Sequence, residues 1–169
     1  LTVCNLLGQP LTFCASLLSA AKRRRNYWTN VTNDIPPVMD GVTWQSVLKP
    51  HHVAREDKAP TVMRSPDTYS VRSGRALVFN SVTGVSELPD IDELERMVGL
   101  DKDATAAHGV CESARRAACG NILDGNVFTY LMRCLPPKAA PTHGSRGVAN
   151  RRALASLVGS LQFCAVLVH

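Results

Sequence analysis

The feature that most constrains this chain is a change of character between residues 11 and 28. Leu11-Thr12-Phe13-Cys14-Ala15-Ser16-Leu17-Leu18 reads as a buried strand, and it runs almost directly into Lys22-Arg23-Arg24-Arg25 and then Tyr27-Trp28. Four successive cations repel one another, and something must offset that cost. Guanidinium forks match phosphate oxygens and base edges bidentately, and a neighbouring Tyr or Trp can stack or anchor the turn. A solvated loop or a localisation signal gives the same letters.

At 169 residues and 18.3 kDa, the chain has the length of one domain or a piece of a larger one. Its 45% hydrophobic and 20% charged composition excludes wholesale disorder, collagen and low-complexity repeats. The net charge of +5 is unevenly spread. Residues 1–86 hold 10 Lys and Arg against 5 Asp and Glu, residues 87–135 hold 5 against 9, and residues 136–169 hold 4 against none. A basic front, an acidic middle and a basic tail suit a polyanion-binding face backed by a more acidic body, or else are uneven surface charge without function.

The six cysteines, Cys4, Cys14, Cys111, Cys119, Cys134 and Cys164, form no CxxC pair. They read as free thiols and small buried hydrophobes in a reducing compartment. His51-His52 has no Cys at ligand spacing, so no metal site is expected. No basic n-region precedes an apolar run at the start, so no signal peptide is evident. The apolar stretch Ala153 to Val168 is about 16 residues against the ~20 of a spanning helix, so a soluble protein with a buried tail helix is expected.

Residues 31–88 are punctuated by Pro36-Pro37, Pro50, Pro60, Pro66, Gly74 and Gly84, which predicts irregular structure with short strands such as Ala76–Phe79. Within it, Thr61-Val62-Met63-Arg64-Ser65 followed by Tyr69, Arg72, Ser73, Gly74 and Arg75 is either a groove- or backbone-contacting element or an ordinary surface loop. Helical signals follow. Asp90 is an N-cap with Glu93 three residues later, Ile91, Leu94 and Val98 share a face, and Gly99 closes the helix. A second helix spans Glu112–Cys119 and ends at Gly120. A third runs over about Gly125–Leu135, with Val127, Phe128, Leu131 and Leu135 in register, and stops at Pro136-Pro137. Gly120-Asn121 with Asp124-Gly125-Asn126 either offers amides and side chains to a polar small molecule or is a plain corner between two helices.

The order of these elements adds what none gives singly. Ala21-Lys22-Arg23-Arg24-Arg25-Asn26-Tyr27-Trp28-Thr29-Asn30 follows a strand, and a basic loop region with Pro60 to Ser65 comes next. Asp92-Glu93-Leu94-Glu95-Arg96-Met97-Val98-Gly99-Leu100 and then Arg115-Arg116-Ala117-Ala118-Cys119-Gly120-Asn121 precede an amphipathic helix. This arrangement resembles the C-terminal half of DNA cytosine-5 methyltransferases of the eukaryotic de novo type, over roughly residues 11–135.

The resemblance implies an α/β fold: a partial doubly wound (Rossmann-like) methyltransferase sheet with a loop-rich target-recognition region and C-terminal helices. Residues 1–30 would end the catalytic core sheet, 31–88 read duplex DNA, 89–136 form core helices, and 137–169 be a linker and tail helix. It also implies that Arg25 touches the edge of a flipped cytosine and Arg23 the backbone or catalytic loop. Asn121 with Ile122 would meet S-adenosylmethionine, and Glu93 and Arg96 would be structural. Arg64, Ser65, Arg72 and Arg75 lie where the family's recognition loops lie, and the location implied is the nucleus. Ala21 stands where the family more usually has Gln, a departure shared by the de novo enzymes.

The family's Pro-Cys nucleophile and Glu-Asn-Val element are not in this sequence, nor is a Gly-rich cofactor turn near its start. Alone it is expected to be inactive, as a fragment or as one half of a split enzyme completed in trans. One rival is a DNA-binding or regulatory module that has lost the catalytic half. Another is a helical interaction protein whose motif matches are coincidental.

Overall fold

A computed structural model describes residues 3–29, 32, 34–65 and 67–135. The elements in order are α1 (Val3–Leu7), β1 (Leu11–Cys14), β2 (Arg24–Tyr27), β3 (His52–Val53), α2 (Tyr69–Arg72), β4 (Val78–Asn80), β5 (Val85–Glu87), α3 (Ile91–Met97), α4 (Glu112–Asn121) and α5 (Gly125–Arg133). The fold is mixed α/β with two small antiparallel sheets, β1–β2 and β3–β4–β5. Among the described residues the one parallel link is a bridge between Ala21 and Ala59, and no doubly wound sheet is present.

The expected strand over residues 11–18 ends at Cys14, because Ala15–Leu17 tightens into a 3-10 turn and sends the chain back into β2. In this hairpin Leu11 pairs with Tyr27 and Phe13 with Arg25. Phe13 and Tyr27 stack with ring centroids 4.6 Å apart and are buried with Val127 and Leu131 of α5. A second core gathers Ala21, Trp44, Ala59, Val62, Val78, Leu94, Met97, Val98 and Cys119. These residues come from the first three of the four segments expected from the sequence, so the loop-rich region shares a core with residue 21 of the basic run and with the helices. Trp44 is its largest fully buried side chain. Paired backbone bonds from Lys22 N to Ala59 O and from Ala59 N to Ala20 O, each 2.8 Å, tie the basic run to that core.

Helix α3 starts as the sequence predicts. Asp90 accepts from Glu93 N, and the Glu93 carboxylate accepts from Asp90 N, which completes a capping box. Gly99 closes the helix at φ +72°, a conformation that favours glycine. The sequence does not show that Glu93 is fully buried, where it also accepts from Lys49 N and lies 2.7 Å from His52 Nδ1. His52 Nε2 lies 3.0 Å from Glu87 Oε1, so this cluster joins β3, β5 and α3.

Glu95 is equally buried. Burial alone would raise its pKa, but the Thr105 hydroxyl, Arg115 and two backbone N–H groups bring it down to about 2. Its bonds to Asp103 N and Thr105 N hold the loop between α3 and α4, in which Asp103 takes a positive φ of 63°. Asp92 and Asp103 lie close to Glu95, but Lys102 and Arg115 pair with these acids.

Two helix ends differ from expectation. Helix α4 runs through Asn121, so Gly120 lies inside it. A Cβ at Gly120 would stand 2.3 Å from Arg64 N and 2.6 Å from Arg64 Cα, so the glycine marks a helix pressed onto a loop rather than a helix stop. Helix α5 ends at Arg133; Val127 and Leu131 are buried, while Phe128 is 46% exposed. The tail helix and its linker lie outside the described residues. Among those described, no helix is long and apolar enough to cross a membrane, and Cys4, Cys14, Cys111, Cys119 and Cys134 are free.

Two outcomes follow. Gly120→Ala must displace backbone, so urea unfolding should show a loss of about 3 kcal/mol, the upper end for overpacking. The Glu95 carboxyl sits at about 2 in the folded chain against 4.5 unperturbed, so its stabilisation is complete above the higher value and is lost as pH falls toward the lower. Unfolding free energy measured against pH should show this acid limb in the native chain and less of it in Glu95→Gln.

Candidate functional site at the hairpin–helix junction

Arg23 enters the molecule just before β2. Its backbone N–H donates to Cys14 Sγ, its carbonyl accepts from Ala15 N, and its side chain turns inward to 3% exposure. There Nη2 donates to Gly120 O at 2.8 Å and Nη1 to Cys119 O at 3.3 Å. The last carbonyls of a helix lack intrahelical partners and carry the negative end of its dipole, so a guanidinium suits them in both charge and geometry. Burial, and then Arg25, lower the Arg23 pKa, while Asp124 opposes them. Arg23 is therefore held by protein carbonyls and is closed to a phosphate in this arrangement.

Arg25 differs. It stands opposite Phe13 in the hairpin and is half-buried, and its nearest acceptor is Arg24 O at 3.4 Å. Its Nε is buried with no partner, and no carboxylate pairs with it among the described residues. Two further buried atoms in this electrostatically linked group lack partners, Tyr27 Oη and Asp124 Oδ2. Burial, with Asp124 adding to it, pushes the Tyr27 phenol up to about 12.

Asp124 caps α5. Its Oδ1 accepts from Asn126 N and Val127 N, both at 3.1 Å, and from Ser19 Oγ at 2.7 Å. Burial raises its pKa against the pull of the Ser19 bond. Asn126 Nδ2 donates to Leu18 O and Ser19 Oγ, so residues 18–19 are latched to the start of α5.

The structure thus brings Arg23 to the peptide oxygen immediately before Asn121, across 97 positions of chain. Asn121 is exposed, and its side chain makes no hydrogen bond among the described residues; Ile122 is half-buried against the second core. The backbone of Arg64 abuts Gly120, while the Arg64 and Ser65 side chains are exposed beside it. Arg72 lies apart, at the end of α2, in an exposed pair with Asp67 at 3.5 Å. Arg75 meets Lys22 through Glu56.

Sequence reasoning noticed Asp124 and Asn126 as a corner but missed Ser19 and Glu56, for which no local pattern signals a long-range partner. No protein-family profile matches the chain, and no curated protein matches it.

Arg23→Ala would leave two helix-end carbonyls without their donor, at a cost of about 3 kcal/mol. Arg23→Lys should recover only part of this, because one ammonium does not reproduce the fork. Chemical denaturation, with amide exchange at residues 118–121 as a local readout, checks both.

Proposed function

We propose that this chain is the C-terminal part of an S-adenosylmethionine-dependent DNA cytosine-5 methyltransferase, acting on duplex DNA in the nucleus and inactive without a half bearing the nucleophile. The observation that carries this reading is the 2.8 Å bond from Arg23 to Gly120 O. It couples the Arg-x-Arg element to Gly120-Asn121 at the end of α4, the two pieces of the resemblance that must share one cleft. The hairpin holding β1 and β2 would then border a doubly wound sheet completed by the other half.

In this reading the two arginines divide the work. Arg25, with donors still unused, meets the acceptor edge of a cytosine flipped from the duplex. Arg23 is a positioning residue that holds the end of α4 so that Asn121 and Ile122 form one wall of the cofactor pocket. An exposed amide side chain beside a half-buried apolar one fits a nucleoside-type ligand, which needs both polar contacts and apolar cover. S-adenosylmethionine, when bound, supplies the methyl group for carbon 5. The exposed Arg64 and Ser65 border the same helix end, where recognition residues would face the DNA. Arg72 and Arg75, exposed at and after the end of α2, would supply further contacts to the DNA from a separate segment.

The test is reconstitution. The full chain mixed with a polypeptide carrying the Pro-Cys and Glu-Asn-Val elements should transfer labelled methyl groups to duplex DNA, while neither piece does so alone. Arg25→Ala in the reconstituted pair should lower turnover by about 10²-fold or more, the scale for losing one preorganised donor. A folded, associated pair that transfers nothing overturns the proposal.

A further inference from the structure

Glu56 holds together two cations that the sequence places 53 residues apart, Lys22 and Arg75. Its Oε2 lies 2.9 Å from Lys22 Nζ, and its Oε1 lies 2.9 Å from Arg75 Nη2 and 3.0 Å from Arg75 Nε. One edge of the guanidinium therefore grips a single anionic oxygen while an ammonium grips the other. Two oxygens of a phosphodiester present the same target. The site is open: the Lys22, Arg75 and Glu56 side chains are 48%, 55% and 30% exposed. Hydrogen bonds from Lys22 and then Arg75 hold the Glu56 carboxyl below its usual range, so it stays ionised.

Ion pairs this exposed contribute little to stability. Their position is more telling. Lys22 opens the basic run, and its backbone is fixed on Ala59; Arg75 follows α2 in the region assigned to DNA contact. Arg72 has a looser acidic partner in Asp67, with one 3.5 Å contact, and Arg64 has no acidic partner among the described residues. The basic face is thus partly neutralised from within, most completely at Glu56.

We propose that Lys22 and Arg75 form a clamp for one phosphate of the DNA backbone, and that Glu56 is its resident competitor, which the phosphate must displace. This rests on the duplex-DNA reading above. No covalent step is involved: one anion replaces another on the same donors, and Glu56 swings into solvent. Removing the Glu56 charge should strengthen binding, and Lys22 should matter fully only once that charge is gone.

The experiment uses the full chain and a labelled duplex of about 20 base pairs, with anisotropy read across a salt series. Four proteins complete a cycle: the native chain, Glu56→Gln, Lys22→Ala and the double variant, each checked for an unchanged thermal unfolding midpoint. Glu56→Gln should tighten binding about three- to tenfold at ~0.1 M salt and steepen the log–log salt slope by about one, the signature of one more phosphate contact. Lys22→Ala alone should change affinity less than about twofold, yet remove most of the gain in the Glu56→Gln background. Additive effects, or a Glu56→Gln chain that binds no tighter than a native chain that itself binds, overturn the clamp and leave the DNA reading standing. If neither protein binds duplex DNA even at low salt, both fall.

Discussion

A guanidinium pressed against the last carbonyls of a helix is the contact on which this structure turns. Arg23 leaves the hairpin whose Phe13 and Tyr27 belong to one core and reaches Cys119 and Gly120 of a helix that belongs to the other. Charge-assisted hydrogen bonds of this kind are worth about 1.5–3 kcal/mol each, and a buried carbonyl left without its donor costs about 1–3 kcal/mol. The tie is also directional. It fixes the rotation of the hairpin relative to α4, which apolar contact alone does not do, because burial rewards area and not angle.

Acidic residues do comparable work inside the molecule. The segment 87–135 carries 9 acids against 5 bases, which on paper makes an acidic body. Three of those acids, Glu93, Glu95 and Asp124, are buried and answer backbone N–H groups, a histidine, an arginine and a serine. They act as joints. The outer surface is correspondingly more basic than the sequence tally suggests, which favours contact with a polyanion.

Local chemistry was readable from the letters. Asp90 and Glu93 announced a capping box, Gly99 a left-handed helix exit, and Val127 with Leu131 the buried side of α5, although Phe128 of the same expected register is exposed. What escaped the letters depended on partners far along the chain. Gly120 looks like a stop signal but lies within a helix, because a neighbouring backbone leaves no room for a side chain there. Leu11 to Leu18 looks like one strand, but pairing with β2 requires a turn after Cys14. The pairing of β3 with β4, the burial of His52 against Glu93 and the Ser19–Asp124 latch join residues 26 to 105 positions apart, with no signature in any short window. At the candidate site the arginines and the asparagine stood out by type and order, whereas the contrast between a tethered Arg23 and an Arg25 with no carboxylate partner among the described residues came only from the packing.

Where α3 gives way to α5, the two backbones meet with nothing between them. Gly125 N donates to Val98 O, and a Cβ at Gly125 would fall 2.2 Å from Gly99 O; one at Gly99 would meet Asn126. Two positions 26 residues apart in sequence are therefore held in one close backbone contact. A side chain at either position would drive the two helices apart and disturb, with them, the cap at Asp124 and everything it latches.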